Sequence, residues 1–204
     1  MGLIGEYGLD PRAWNPLLET PRLTLEPLIA EHASVLLAAL SDPRIYRFIP
    51  QEPPTDFDLE RLHQRYAKLE TRSSQDNGEA WLNWAIKYEF VYLGRVEASV
   101  QLESKTASIA YLLSPDYWGQ GFALETVKTI LNHLERRGVV EVQAWVDSRN
   151  AASMKLLERL DFVRHEFLPA ADHFKGHSSD EWVYTLELQG FSSRWPTTLE
   201  RPPL

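Results

Sequence analysis

The chain has 204 residues, 44% of them hydrophobic, and a formal net charge of −8. That length and apolar share suit one domain with its own core, and the acidity argues against nucleic acid or an anionic membrane as partner. There is no cysteine, which excludes disulfides, thiolate metal sites and a cysteine nucleophile and fits a reducing compartment.

Residues 1–21 are rich in Gly, Pro and turn formers, so 1–18 read as an arm ahead of a domain spanning 19–189. The start carries neither the basic nor the long apolar region of a signal peptide, and Glu6 stands where a myristoylation motif needs Ser or Thr. With no run of 18 apolar residues anywhere, no membrane span is expected, and a cytoplasmic location is the default expectation. Alternation over 22–27 predicts a first strand, and helical spacing over 29–40 a first helix, closed by Asp42-Pro43. A second helix carries Leu59, Leu62, Tyr66 and Leu69 as one stripe, with Asp56 or Asp58 as its cap. The period then becomes two: 80–88, 90–100 and 106–113 read as a three-stranded meander. A long helix follows over about 122–137, with Leu124, Val127, Leu131 and Leu134 inward and Gly138 as its cap. Residues 139–146 read as a buried central strand, 150–160 as a helix, and 162–168 and 182–188 as late strands. The Pro-rich segment 190–204 reads as a poorly ordered tail. The order describes an α+β domain, mostly antiparallel, with one strand-helix-strand unit near its centre.

The most informative segment is Trp118-Gly119-Gln120-Gly121-Phe122-Ala123, where glycines open a helix directly after a strand. Glycines let backbone approach a ligand closely, and the unpaired N–H groups of a helix's first turn, aided by its dipole, bind phosphate without lysine. A lone Gly-x-Gly equally fits a turn chosen for chain geometry. A P-loop is excluded, since no Gly-Lys-Ser/Thr follows. A dinucleotide fingerprint needs a third small residue where Leu124 or Glu125 stands.

Tyr111-Leu112-Leu113 followed by Trp118 through Glu125 resembles the acetyl-CoA signature of the GNAT superfamily of N-acetyltransferases, particularly its RimJ/RimL-like branch. The signature is Q/R-x-x-G-x-G/A, with Trp118 in the Gln/Arg place. Downstream, Asn150, Ser153, Leu156 and Asp161-Phe162 resemble N-x-x-S-x-x-L-x-x-x-x-G-F, with Asp161 in place of Gly. An Asp tolerates the left-handed conformation that a helix cap needs. Glu19 to Leu25 resembles the branch's first strand, so the resemblance covers about 19–188. It implies a GNAT-like fold, a mixed and mostly antiparallel sheet of about six to seven strands flanked by four helices. It implies acetyl-CoA as donor and coenzyme A as product. It further implies that Leu113, Trp118, Gly119, Gln120, Gly121, Phe122, Ala123, Leu124, Asn150 and Ser153 form the cofactor site, in a cleft where the strands at 106–113 and 139–146 splay apart.

Acetyl transfer to an amine needs a neutral, oriented amine, donors for the developing oxyanion and a stabilised leaving thiolate. The resemblance places the oxyanion donor on the backbone near Leu113. The tyrosine acid common in the family would stand at Leu157 and the branch's glutamate at Ser108, so both are missing, and Ser153 is the substitute acid candidate. Glu97 is the candidate base, with Glu103 as the other near carboxylate. Glu97 alternates with Val96 and Ala98, so it faces either the substrate cleft or solvent. His173 and His177 lack a third ligand nearby and read as loop residues, so no metal is expected. Asp172, Asp180 and Glu181 suit a cationic amine, and Trp81, Trp84, Trp145 and Trp182 read as core. The acceptor is expected to be a protein N-terminus or a small-molecule amine. The alternatives are an acyl-CoA-binding sensor that has lost catalysis, favoured by Leu157 and Ser108, and an interaction domain without coenzyme A affinity. The family also allows a homodimer.

Overall fold

The structure, a computed structural model, describes residues 11–196. Its sheet has eight strands in the order β1-β2-β3-β4-β5-β6-β8-β7. These are β1 (Leu18–Glu19), β2 (Leu23–Pro27), β3 (Glu79–Tyr88), β4 (Val91–Gln101), β5 (Thr106–Leu113), β6 (Glu141–Asp147), β7 (Val163–Phe174) and β8 (His177–Glu187). The helices are α1 (His32–Leu40), α2 (Leu59–Leu69), α3 (Phe122–Arg136), α4 (Ala151–Glu158) and the single turn α5 (Phe191–Arg194). Every neighbouring strand pair is antiparallel except β5 with β6, which α3 connects. The α+β reading with one strand-helix-strand unit therefore holds. The strand count exceeds six to seven because the two-residue β1 adds an edge beside β2.

Alternation divides the strand side chains between two apolar layers. Leu82, Trp84, Val96, Ile109 and Val142 pack with Val127, Ile130, Leu131 and Leu134 of α3 and Leu157 of α4. On the other face, Ala85 and Leu28 lie against Leu36 and Leu40 of α1 and Tyr66 of α2. Burying each such Leu or Ile contributes about 1.5–3 kcal/mol. The stripe expected on α2 is real but shallow: Tyr66 is buried, while Leu59 lies open. No described helix is long and apolar enough to cross a membrane.

The packed unit extends past both expected boundaries. Trp14 is buried, and the Asn15 side chain accepts from the Asn83 N–H at 2.7 Å and donates to its carbonyl at 3.1 Å. The expected arm, 1–18, is thus part of the domain from Trp14 onward, its residues 1–10 lying outside the described region. The expected tail, 190–204, likewise begins with structure. Phe191 is fully buried, and the Glu135 carboxylate accepts from the backbone N–H groups of Phe191 and Ser192 at 3.0 and 2.8 Å. Residues 197–204 lie outside the described region. Composition reads such segments as loops, but one large apolar anchor in each is enough to dock them.

The late strands are longer than the 162–168 and 182–188 expected. They form one hairpin turned by Lys175 and Gly176, both at positive φ, with Phe174 opposite His177. His173 and His177 therefore sit on strands flanking a two-residue turn rather than in a loop. Asp161 takes φ 67°, as its replacement of a cap glycine requires.

If α5 belongs to the core, Phe191→Ala should cost roughly 3 kcal/mol in urea unfolding; a loss below about 0.5 kcal/mol, the level of an ordinary surface change, would show that it does not.

Candidate active site

Strands β5 and β6 pair in parallel only at Thr106↔Glu141, Ala107↔Val142 and Ser108↔Gln143. Beyond Ser108, β5 continues to Leu113 while still fully paired with β4 on its other side. The Ser114 N–H donates to the Leu93 carbonyl at 2.7 Å, towards β4. Alternation then turns the N–H and C=O groups of Tyr111 and Leu113 the other way, into the gap beside β6. The Leu113 carbonyl there accepts from the Trp118 indole N–H at 2.9 Å. Trp118, half-exposed, thereby ties the loop to the end of β5.

The loop ends at Gly121, the cap of α3, in the left-handed conformation at φ 83°, with Gly119 at 73°. The first helical bond runs from the Glu125 N–H to the Gly121 carbonyl. The N–H groups of Phe122, Ala123 and Leu124 thus lack intrahelical acceptors, and a glycine cap supplies no side chain for them. Arg22 braces this terminus. It lies over the Phe122 ring at 4.3 Å, donates to the Gln120 carbonyl at 3.0 Å and pairs with Glu125 at 2.7 Å. Glu125 neutralises much of that charge, so the terminus keeps its own partial positive charge as the main attraction for an anion.

Asn150 caps α4, its side chain accepting from the Ser153 N–H at 3.2 Å. The Ser153 hydroxyl meets the Tyr111 hydroxyl at 2.8 Å. Burial pushes the Tyr111 phenol up to about 12, against the opposing effect of its Ser153 bond. Leu157 is fully buried, one turn further along α4. Thus the loop is tied to Leu113 at the end of β5, and Tyr111 joins β5 to Ser153 in the first turn of α4. Tyr111 was legible only as part of a motif; no sequence signal ties it to Ser153.

Glu97 does not join this group. It sits on the α1/α2 face of β4, ion-paired with Arg95. Tyr46 and Tyr66 lie near Arg95, and burial pushes both phenols up. The hairpin tip closes the same face: the Lys175 ammonium donates to the carbonyls of Tyr46, Ile49 and Gln51, the latter two at 3.2 and 3.3 Å. Further along, Asp147 ends β6, buried, with Arg149 and Ser179 donating to it. Opposite it on β8, Glu181 is pushed up by burial and by its neighbours Asp172 and Asp147. Among the described residues, no group of three or more His, Cys, Asp or Glu side chains that could hold a metal ion forms. Of the four tryptophans read as core, Trp84 is fully buried, but Trp145 is 47% exposed. It alternates with Val146 and so faces away from α3 and α4, a position that strand periodicity alone does not reveal.

Residues 22–163 match the family model described as acetyltransferase (GNAT) domain. The chain belongs to that family of acetyltransferases, whose acyl donor is acetyl-CoA. It is 26% identical over 183 residues to the uncharacterized N-acetyltransferase p20 of Bacillus licheniformis, covering 83% of this chain and 94% of the relative. It is 27% identical over 124 residues to the [ribosomal protein bS18]-alanine N-acetyltransferase of Escherichia coli K12, covering 58% of this chain and 82% of the other. Among solved structures, spermidine N-acetyltransferase from Vibrio cholerae, in complex with CoA and spermine, superposes with a TM-score of 0.69 at 20% identity. That match covers 83% of this chain and 98% of the other, and it shows shared fold.

The Asp147 environment sets a pH dependence. Burial acts to raise its carboxyl, but hydrogen bonds from Arg149 and Ser179 outweigh it and hold the group below the ordinary carboxylate value. A depressed carboxyl stabilises the fold above its unfolded value of about 3.9, and that stability is lost as pH falls through the lower folded value. Asp147→Asn should therefore unfold more readily than the parent at pH 7 and show a shallower loss of stability below about pH 4. Parallel acid limbs in urea titrations of the two proteins would contradict this.

Proposed function

We propose that the chain transfers the acetyl group of acetyl-CoA directly to a cationic primary amine, both substrates being bound together, and that it lies nearest the RimJ/RimL-like branch of its family. The observation that carries this reading is the open, glycine-capped terminus of α3 beside the gap between β5 and β6. The N–H groups of Phe122, Ala123 and Leu124 suit a pyrophosphate, with Gly119, Gln120 and Gly121 shaping the approach and Trp118 fixing the loop. The strand-edge groups of Tyr111 and Leu113 suit an extended amide-bearing arm, and the Leu113 N–H suits the role of donor to a developing oxyanion. Asn150 and Ser153 line the same gap from α4.

The acceptor belongs on the opposite, α1/α2 face of the sheet. Asp147, Asp172 and Glu181 give that side a negative character, matching the chain's net charge of −8. Glu181, raised towards neutrality by burial and like charge, is a better candidate base than Glu97, which Arg95 holds. The named acceptors of two similar proteins, a ribosomal-protein alanine and spermidine, share a primary amine. That shared chemistry supports the amine class rather than either molecule.

Calorimetric titration with acetyl-CoA, beside Gly121→Val, tests the cofactor reading. The left-handed conformation costs a branched residue about 1–2 kcal/mol, and the valine occludes the N–H groups. Saturable binding by the parent, weakened at least tenfold in the folded variant, is the expected result. No binding by the folded parent would contradict the reading, and turnover in an amine screen would separate an enzyme from a sensor.

A further inference from the structure

The position where the family commonly places a tyrosine acid is the buried Leu157, yet a tyrosine does reach the gap, from the strand side. Tyr111 lies on β5 past Ser108, the last residue paired with β6, and its hydroxyl bridges to Ser153 in the first turn of α4 at 2.8 Å. Among the described residues, Ser153 is the one hydrogen-bond partner of the Tyr111 hydroxyl, and Tyr111 the one partner of the Ser153 hydroxyl. A phenol is the more acidic of the two groups and therefore the better donor, and an aliphatic hydroxyl the better acceptor. Burial also keeps the phenol protonated far above neutral pH. The 2.8 Å contact admits either hydroxyl as donor, and the greater acidity of the phenol favours its O–H donating to Ser153 Oγ, an arrangement that satisfies a proton whose loss of partner would cost about 1–3 kcal/mol. A serine hydroxyl has one proton. With its oxygen accepting from Tyr111, that proton is turned outward, and no protein acceptor among the described residues takes it.

We propose that Tyr111 is a positioning residue: it commits Ser153 to act as a hydrogen-bond donor into the β5–β6 gap, towards the sulfur of coenzyme A. This rests on the reading of that gap as the cofactor cleft. When the amine nitrogen bonds to the acetyl carbon, the carbon–sulfur bond breaks and the sulfur keeps the electron pair. Ser153 stabilises that thiolate by a hydrogen bond alone, the amine proton passes to the general base, for which Glu181 is the candidate, and neither hydroxyl need lose its proton. Accepting from a phenol also polarises the serine O–H and strengthens its donation.

The test compares the parent, Tyr111→Phe, Ser153→Ala and the double variant. The bound coenzyme A thiol is titrated through the ultraviolet absorbance of its thiolate, which needs no turnover. A hydrogen bond to the charged form lowers its pKa. Each single variant should raise the bound thiol's pKa by about one unit, a tenfold change in thiolate fraction below the midpoint. Each should also lower kcat about tenfold with KM for acetyl-CoA unchanged, and the double variant should be no worse than either single, as for residues acting as a unit. A shift with Ser153→Ala but none with Tyr111→Phe would overturn the role of Tyr111, and no shift in either would overturn the whole proposal. A folded parent that binds no coenzyme A would overturn it together with the cofactor reading, whereas unchanged titrations in a chain that binds would overturn this proposal alone.

Discussion

Two parallel strands that pair for three residues and then part leave backbone donors and acceptors facing a gap. Such groups must find partners outside the sheet, because an unpaired amide away from water costs about 1–3 kcal/mol. The rest of the molecule is organised around that divergence. β4 holds β5 along its whole length on one side, while its other edge is unmatched by β6 beyond Ser108. β8 and β7 hold β6 on its far side. The two halves of the sheet are each complete, and the cleft is the seam where they meet.

α3 and α4 are the next α-helices in the chain after β5 and β6, each reached by a short loop. A helix that follows a strand begins towards the strand's C-terminal end; of the two N-termini, that of α3 keeps its first N–H groups uncapped, whereas Asn150 caps that of α4. On the proposed reading the cofactor contacts are mainly backbone, which leaves the Trp118 side chain free for another role. Its indole N–H ties the loop to Leu113, and the helix terminus remains open beyond it. Side chains then add what backbone cannot: Arg22 braces the loop, Asn150 caps α4 and Tyr111 bridges to Ser153.

Much of this was legible in the sequence because local rules decide it. Apolar alternation placed β2 to β5 within a residue or two, and the glycines and Asn150 marked the starts of α3 and α4. The cap role of Asp161 followed from its tolerance of positive φ. What was illegible depended on contacts distant in sequence. Trp14 and Phe191 dock segments whose composition reads as loop. The polar faces of β7 hid the second half of its length, since an edge strand exposed on both faces has no apolar period to show. The Tyr111–Ser153 bond joins residues 42 apart.

The central claim is that the gap beside β5 and the terminus of α3 are two parts of one cofactor site. Amide hydrogen exchange with and without acetyl-CoA tests it most directly. The account predicts that protection appears together at Tyr111 and Leu113 and at residues 121–124, with β4 and β8 unchanged. Saturable binding with protection confined to other segments, leaving β5 and the α3 terminus unaffected, would contradict it.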